Sequence, residues 1–362
     1  MNKKLMIITV VALAAFYACS NEEARRATTN EDVTADQLPI LLGSNLGEVT
    51  RSNNATNLIN GDTVYVWADM INAATSAVGE YFNAWALRAN GVGGLATLEA
   101  NNTKLFPATN HLNFYALCGN FGVDALEQPI IEAETAAFPV TDGIRHTVLD
   151  DQTTPENYYK SDLLYAVVPN QEPVSSAVVL PFKHLLARIQ VVLVAGDGMS
   201  IADLSSATVK LVNLKRQVTF TPNKEADFTS QSALAGMLSF PAGAAQGDIL
   251  MTTNTVATAA EATAANSTVY ADAIVAPQTI AKGANFIKVS YLGRDTYYRI
   301  PNGTNDEPLA IESGKQYRFR LIANRIGSGH LFDEVTVETW GANTTKSLWL
   351  DNLIPNEPNN NN

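Results

Sequence analysis

The feature that most constrains this chain is its rhythm: short runs of β-branched and aromatic residues, apolar at alternate positions, cut off by Gly, Pro, Asn or Asp. Asp62–Ala68, Asn113–Leu117, Leu163–Val168, Ala177–Phe182, Ile189–Val194, Ala207–Leu214 and Val218–Thr221 read this way. So do Thr268–Ala276, Phe286–Tyr291, Tyr297–Ile300, Gln316–Ala323 and Glu334–Trp340. A period of two puts successive side chains on opposite faces of a strand, so each run can turn one face to a core. Runs this short, with turns between them and no βαβ alternation, predict an all-β fold of packed sheets. Helical spacing is confined to Ile71–Trp85 and Ile201–Leu204, enough for a turn or two each. The length suits two β-sandwich domains, 37–182 and 183–352, divided near Pro181-Phe182-Lys183-His184. Ala242–Asn266, built of Ala, Thr, Gly and Asn, reads as a surface excursion of the second domain, and the Pro/Asn-rich 353–362 as a disordered tail.

The front of the chain has a different character. Lys3 and Lys4 precede an apolar stretch, Leu5–Ala18, that ends at Cys19, the layout of a secretory signal over residues 1–18. A spanning helix needs about 20 apolar residues, more than this stretch offers. Phe16-Tyr17-Ala18-Cys19 resembles a bacterial lipobox, in which a small residue precedes a cysteine that receives a lipid on its sulfur; Phe16 departs from the usual leucine. The other reading is an ordinary signal peptide with an incidental cysteine. Ser20-Asn21-Glu22-Glu23 resembles the surface-export signal of lipoproteins in Gram-negative anaerobes, and residues 19–36 are polar enough to be a lipidated tether that holds the protein to an outer membrane.

Charge and cysteine content exclude several classes. With 24 Lys+Arg against 36 Asp+Glu the net charge is −12, which lacks the cationic footprint that nucleic acid requires. Of two cysteines, one is Cys19, so Cys118 has no intrachain partner and reads as a small buried hydrophobe. His111, His146, His184 and His330 have neither the i, i+4 spacing nor the Cys pairing of metal sites. Asp150-Asp151 lacks the surroundings of a calcium loop, and Gly314-Lys315-Gln316 lacks the hydroxyl and the earlier glycine of a phosphate loop. No Gly-x-Ser-x-Gly elbow occurs. His184, flanked by apolar residues, reads as a hydrogen-bonded core histidine. No enzyme and no cofactor is expected.

One stretch carries a family resemblance. Leu180-Pro181-Phe182-Lys183-His184-Leu185-Leu186-Ala187-Arg188-Ile189-Gln190-Val191 is similar to the Phe-x-His-x-Leu-Ala-Lys/Arg-Ile-x-Val stretch of the fimbrillins, the subunits of a protease-assembled bacterial pilus. Val275-Ala276-Pro277-Gln278-Thr279, Ser313-Gly314-Lys315-Gln316-Tyr317-Arg318-Phe319 and Val335–Trp340 resemble later landmarks of that family, and Thr50-Arg51, Asp62–Ala68 and Leu112–Ala116 earlier ones. The resemblance implies two tandem transthyretin-like β-sandwich domains, export as a lipoprotein lipidated at Cys19, cleavage by an Arg-specific protease and polymerisation by strand exchange. It places the cut between Arg51 and Ser52. The displaced strand is then Leu38–Leu46, with Leu38, Ile40, Leu42 and Leu46 as its apolar residues; otherwise it is an ordinary first strand that is never cut. Arg25-Arg26 is a competing basic site, but a cut there releases only the tether.

After Trp340 come a polar link and the apolar Leu348-Trp349-Leu350. Leu348 and Leu350 lie about 7 Å apart on one face of an extended strand, the spacing that a vacated groove requires. This segment is either a donor strand for another subunit or the last strand of its own sheet. The partners implied are other copies of the chain or related pilin subunits, the Arg-specific protease, and a host protein or glycan receptor. The alternative function is a non-polymerising surface lipoprotein that binds glycans through exposed aromatics such as Trp67, Trp85 or Trp349.

Overall fold

The computed structural model of the chain describes residues 38–45, 58, 60–90, 95–121, 131, 133–204, 206–224, 230–255, 268–300, 308–325, 331–339 and 345–348. The first half runs β1 (Leu42–Asn45), β2 (Thr63–Ile71), β3 (Val78–Asn90), β4 (Leu95–Ala100), β5 (His111–Cys118), β6 (Ile144–Thr147), helix α1 (Pro155–Lys160), β7 (Leu164–Gln171), β8 (Val178–Leu180) and β9 (Lys183–His184). The second begins with β10 (Ala187–Ala195), α2 (Ile201–Leu204), β11 (Thr208–Lys215), β12 (Gln217–Phe220), α3 (Gln231–Ala235), β13 (Leu238–Ser239), β14 (Gln246–Leu250) and β15 (Thr252–Thr255). It continues with β16 (Thr268–Val275), β17 (Gln278–Ile280), β18 (Asn285–Tyr291), β19 (Arg294–Arg299), β20 (Leu309–Ile311), β21 (Lys315–Ala323), β22 (Leu331–Thr339) and β23 (Thr345–Leu348). The fold is all-β, as the alternation predicts.

An eight-stranded sheet of order β8-β1-β4-β3-β2-β5-β7-β9 forms the first half. Its central strands bury both faces. β5 sends Phe114 and Ala116 into one apolar cluster, with Val64, Val66 and Leu98, and Tyr115 and Leu117 into another, with Trp67 and Tyr165. The second cluster continues into the other half, where a six-stranded sheet, β15-β16-β10-β21-β22-β23, packs on a four-stranded one, β14-β11-β18-β19. Ile189, Val191 and Leu193 of β10 share this core with Val209 and Leu211 of β11, and Phe286 meets Phe319 edge-on at 5.4 Å between the sheets.

Two expectations fail for identifiable reasons. Ile71–Trp85, read as partly helical, supplies the end of β2 and most of β3. Ala84 has a positive φ of 30° and the β2–β3 register shifts between Val66 and Ala68, so Ala84 and Trp85 are both buried in succession. A bulge of this kind breaks the two-residue period and mimics helical spacing. Part of Ala242–Asn266, read as a surface excursion, is β14 and β15, which pair with β11 and β16 and bury Ile249 and Met251 completely.

The halves are stitched together. β6 leaves the first half to pair antiparallel with β12, Val218 opposite His146. Farther on, the Gln152 carboxamide, wholly buried, accepts the Ile274 N–H at 2.8 Å and donates to the Ile274 carbonyl at 2.9 Å, taking the place of a neighbouring strand. His146 anchors β6: its Nδ1 accepts the Asn120 N–H at 3.0 Å, which leaves Nε2 to donate to the Ser161 carbonyl at 2.9 Å. Gly119 makes room for it, since a Cβ there would lie 2.9 Å from His146 Nδ1. Burial lowers the His146 pKa from 6.5 to about 4, against opposing pulls from the Ser161 carbonyl and Asp162.

An ion pair lies inside the second half. On the middle strand β10, Arg188 donates to Asp272 Oδ1 through Nη2 at 2.8 Å and Nε at 3.1 Å, and through Nη1 to Gln316 Oε1 at 3.0 Å. Asp272 lies on β16 and Gln316 on β21, the two neighbours of β10.

These contacts lead to two expected outcomes. Arg188→Ala leaves a buried carboxylate without its cation and is expected to cost about 3–5 kcal/mol in urea unfolding, whereas Arg188→Met combined with Asp272→Leu is expected to cost far less. Because the folded His146 pKa lies below its unfolded value, its contribution is complete above about pH 6.5 and falls away as the pH drops toward 4. The wild type is therefore expected to lose about 2–3 kcal/mol more than His146→Gln between pH 7.5 and pH 4.5, read from urea midpoints at the two pH values.

Candidate functional site

Residues 38–45 form an extended segment held on both sides. Ile40 donates its N–H to the Lys104 carbonyl at 2.8 Å, and Phe106 donates to the Leu38 carbonyl at 2.8 Å. Toward the other neighbour, Val178 donates to the Leu41 carbonyl at 2.8 Å. β1 then continues antiparallel to β4, Leu42 opposite Leu98 and Ser44 opposite Ala96, and parallel to β8, Leu42 opposite Val178 and Ser44 opposite Leu180. Alternation sorts its side chains: Ile40 and Leu42 are 3% exposed and Ser44 1%, while Leu41 points outward at 46%. Leu38 is half-buried against the same cluster, which includes Phe106, Val178 and Leu180.

This geometry fixes what would remain if the segment left. β4 and β8 would face each other across a gap one strand wide, each with backbone N–H and C=O groups lacking partners, over an apolar floor. Burial of Ile40 and Leu42 is worth about 1.5–3 kcal/mol apiece, so the segment is well held while it stays. Leu46, Arg51 and Ser52 lie outside the described residues, as does Cys19. Leu58, on the far side of Arg51 in sequence, is buried in the same cluster.

At the other end of the chain, β23 pairs antiparallel with β22, Leu348 opposite Val335 and Thr345 opposite Glu338. It is the outermost strand of the six-stranded sheet, so the backbone of Thr345–Leu348 joins the chain's own sheet by one edge. Trp349 and Leu350 lie outside the described residues.

The tryptophans are placed differently from what the sequence suggested. Trp67 and Trp85 are both 2% exposed, not surface aromatics. The Trp67 indole N–H donates to the Ala136 carbonyl at 2.7 Å and that of Trp85 to Asn102 Oδ1 at 2.9 Å. On β2 the residues Val66–Asp69 are buried in succession, so Trp67 is interior whichever face it takes, and on β3 Trp85 lies on the covered face while Arg88 and Asn90 reach solvent. Trp67 does floor an open cleft of about 290 Å³, walled by Ile131, Phe138, Pro139, Asp142 and Ile144. Beside Phe138, Lys224 pairs with buried Asp69 at 2.6 Å and lies 5.1 Å from the centre of the Tyr115 ring. Burial, with Asp69 adding to it, pushes the Tyr115 hydroxyl up to about 12.

The other polar groups of note are tied into the structure. His184 Nδ1 lies 2.6 Å from Asp162 Oδ2, and His111 Nδ1 lies 2.8 Å from Asn170 Oδ1. Burial raises the Cys118 thiol well above its usual range, which keeps it protonated. Among the described residues no group of three or more His, Cys, Asp or Glu side chains is placed to hold a metal ion, and no helix is long and apolar enough to cross a membrane. The alternation of Leu38, Ile40 and Leu42 reappears as a buried row; Ser44, which the sequence does not single out, joins it through the β4 and β8 pairings.

Residues 50–340 match the sequence model of a family described as fimbrillin-like. Among solved structures, the chain is similar to a protein assigned to cell adhesion from Bacteroides ovatus, with a TM-score of 0.55 at 16% identity over 83% of this chain and 97% of that one. A second such protein, from Bacteroides uniformis, gives a TM-score of 0.52 at 17% identity over 83% and 98%. A tip fimbrial protein from Porphyromonas gingivalis is more distant, with a TM-score of 0.42 at 10% identity over 83% and 98%. At such identities the two Bacteroides likenesses show a shared fold. No curated protein sequence matches the chain.

Proposed function

The chain belongs to the fimbrillin-like family, and from that membership we propose that it is a structural subunit of a cell-surface fimbrium that serves adhesion. In this reading it is exported as a lipoprotein lipidated at Cys19 and held at the outer membrane. An Arg-specific protease cuts it after Arg51, and it then polymerises with its own copies or related pilin subunits by strand exchange. A host protein or glycan is the receptor of the assembled fibre. In the same reading the chain is built as two tandem transthyretin-like β-sandwich domains.

The observation that carries the reading is the position of residues 38–45. They occupy an interior slot between β4 and β8, yet they precede Arg51, and the family match begins at residue 50. A cut after Arg51 would leave this strand held by non-covalent contacts alone, while Leu58 and everything beyond stay with the subunit. The slot could then accept a strand from another copy, its main-chain groups paired on both sides. Thr345–Leu348, attached by a single edge to its own sheet, is the proposed donor together with Trp349 and Leu350, because an outer strand is the least costly to release.

The alternative is a non-polymerising lipoprotein that binds glycans. The cleft over Trp67 is the feature that favours it, although the indole N–H there is already committed to Ala136.

The mature surface protein is expected to begin at Ser52 on N-terminal sequencing; a full-length mature form beginning at Cys19 supports the glycan binder. Arg51→Ala is expected to leave a folded, lipidated monomer that does not polymerise, and normal fibre assembly by this variant would overturn the reading. Truncation after Ala342 removes only the outer strand and its flanking residues, so a stable, cleaved monomer unable to extend a polymer is expected. If that truncated chain unfolds instead, Leu348 belongs to its own sheet for good and the donor lies elsewhere.

A further inference from the structure

The strand that fills the slot fits it unevenly. Its inward positions are Leu38, Ile40, Leu42 and Ser44, and the first three are apolar like the interior they face. Ser44 is different: it is 1% exposed, and its hydroxyl has no hydrogen-bond partner among the described residues. The residue level with it on β8 is Leu180, wholly buried in the apolar cluster. A hydroxyl taken out of water without a replacement partner is a net cost to the folded state, and an apolar side chain of similar size would carry none. Gly43, next to it, adds conformational entropy to be lost and no side chain to pack. Among the described residues Ser44 is also the inward position nearest Arg51 along the chain.

Resting on the strand-exchange reading above, we propose that Ser44 is a built-in mismatch at which exchange begins. The partner that displaces residues 38–45 is then an extended segment of another subunit that carries an apolar residue level with Leu180 and apolar residues at the three other inward positions. The native strand holds by Leu38, Ile40 and Leu42 and frays at Ser44. While the backbone is intact beyond Asn45, the frayed end is tethered and closes again. Once the backbone is cut, the freed end leaves Ser44 open, and an incoming strand docks there first and advances toward Leu38. The subunit's own strand is thereby the weaker occupant by composition, which gives assembly its direction.

The test uses the full chain, cleaved at Arg51 by an Arg-specific protease, with two fluorescent synthetic peptides: one copying Leu38–Leu46, the other the same sequence carrying Ser44→Val. Uptake is followed by fluorescence anisotropy and release of the native strand by mass spectrometry. The valine peptide is expected to enter at least tenfold faster than the copy. Subunits carrying Ser44→Ala or Ser44→Val in their own strand are expected to exchange at least fivefold more slowly than the wild type, while Leu41→Ser, at an outward position, leaves the preference for the valine peptide unchanged. Equal uptake of both peptides, with the Ser44 variants exchanging at the wild-type rate, overturns the role of Ser44 and leaves strand exchange standing. Failure of both peptides to enter the cleaved wild type overturns the role of Ser44 and the strand-exchange reading together. Should Ser44→Val fail to fold, Ser44→Ala and the peptide comparison on the wild type decide the matter.

Discussion

The second half of the molecule depends on the guanidinium buried at the start of β10. This strand pairs antiparallel with β16 and parallel with β21, which arrives late in the chain. Apolar alternation by itself tolerates a slip of two residues, since the same faces would still be buried. Arg188 removes that tolerance, because it holds a carboxylate on one neighbour and an amide on the other. A slip of either strand would leave a charge inside the protein without its partner, at a cost that few other contacts could offset. The facing sheet and the wall shared with the first half are then packed against a frame whose register is settled.

The sequence exposed the strands better than their surroundings. Ile189–Val194, an almost continuous apolar run, and Gln316–Ala323, alternating as far as Leu321, lie within β10 and β21. β3 was hidden by its own bulge, which places Ala84 and Trp85 in adjacent buried positions. β14 and β15 were hidden by composition, since Thr and Gly side chains show little preference for burial although their backbones complete the ladders. Trp67 and Trp85 looked available because alternation says which residues share a face but not whether that face meets solvent. On β2 both halves of the alternation are interior, and on β3 Trp85 occupies the covered one.

The slot was legible in part. Leu38, Ile40 and Leu42 announce a buried strand by spacing alone. That Ser44 continues their row, with an apolar neighbour level with it, depends on partners more than fifty residues away in β4 and more than one hundred and thirty away in β8. The junction between the halves was less legible still. β6 is four residues long and its partner lies in the other half. Gln152 acts through a side chain that imitates backbone, which leaves no periodic trace. His184, by contrast, has the carboxylate contact that a core histidine needs, supplied by Asp162.

The stitching of the halves has a mechanical meaning. Besides the covalent connection at Leu185-Leu186, the β6–β12 ladder and the Gln152 carboxamide span the junction at separate points. A joint fixed at one point is a hinge, but a joint fixed at several resists both bending and torsion. Each subunit is therefore braced at its own junction, and in any filament made of such subunits the connections between neighbours are the natural place for bending.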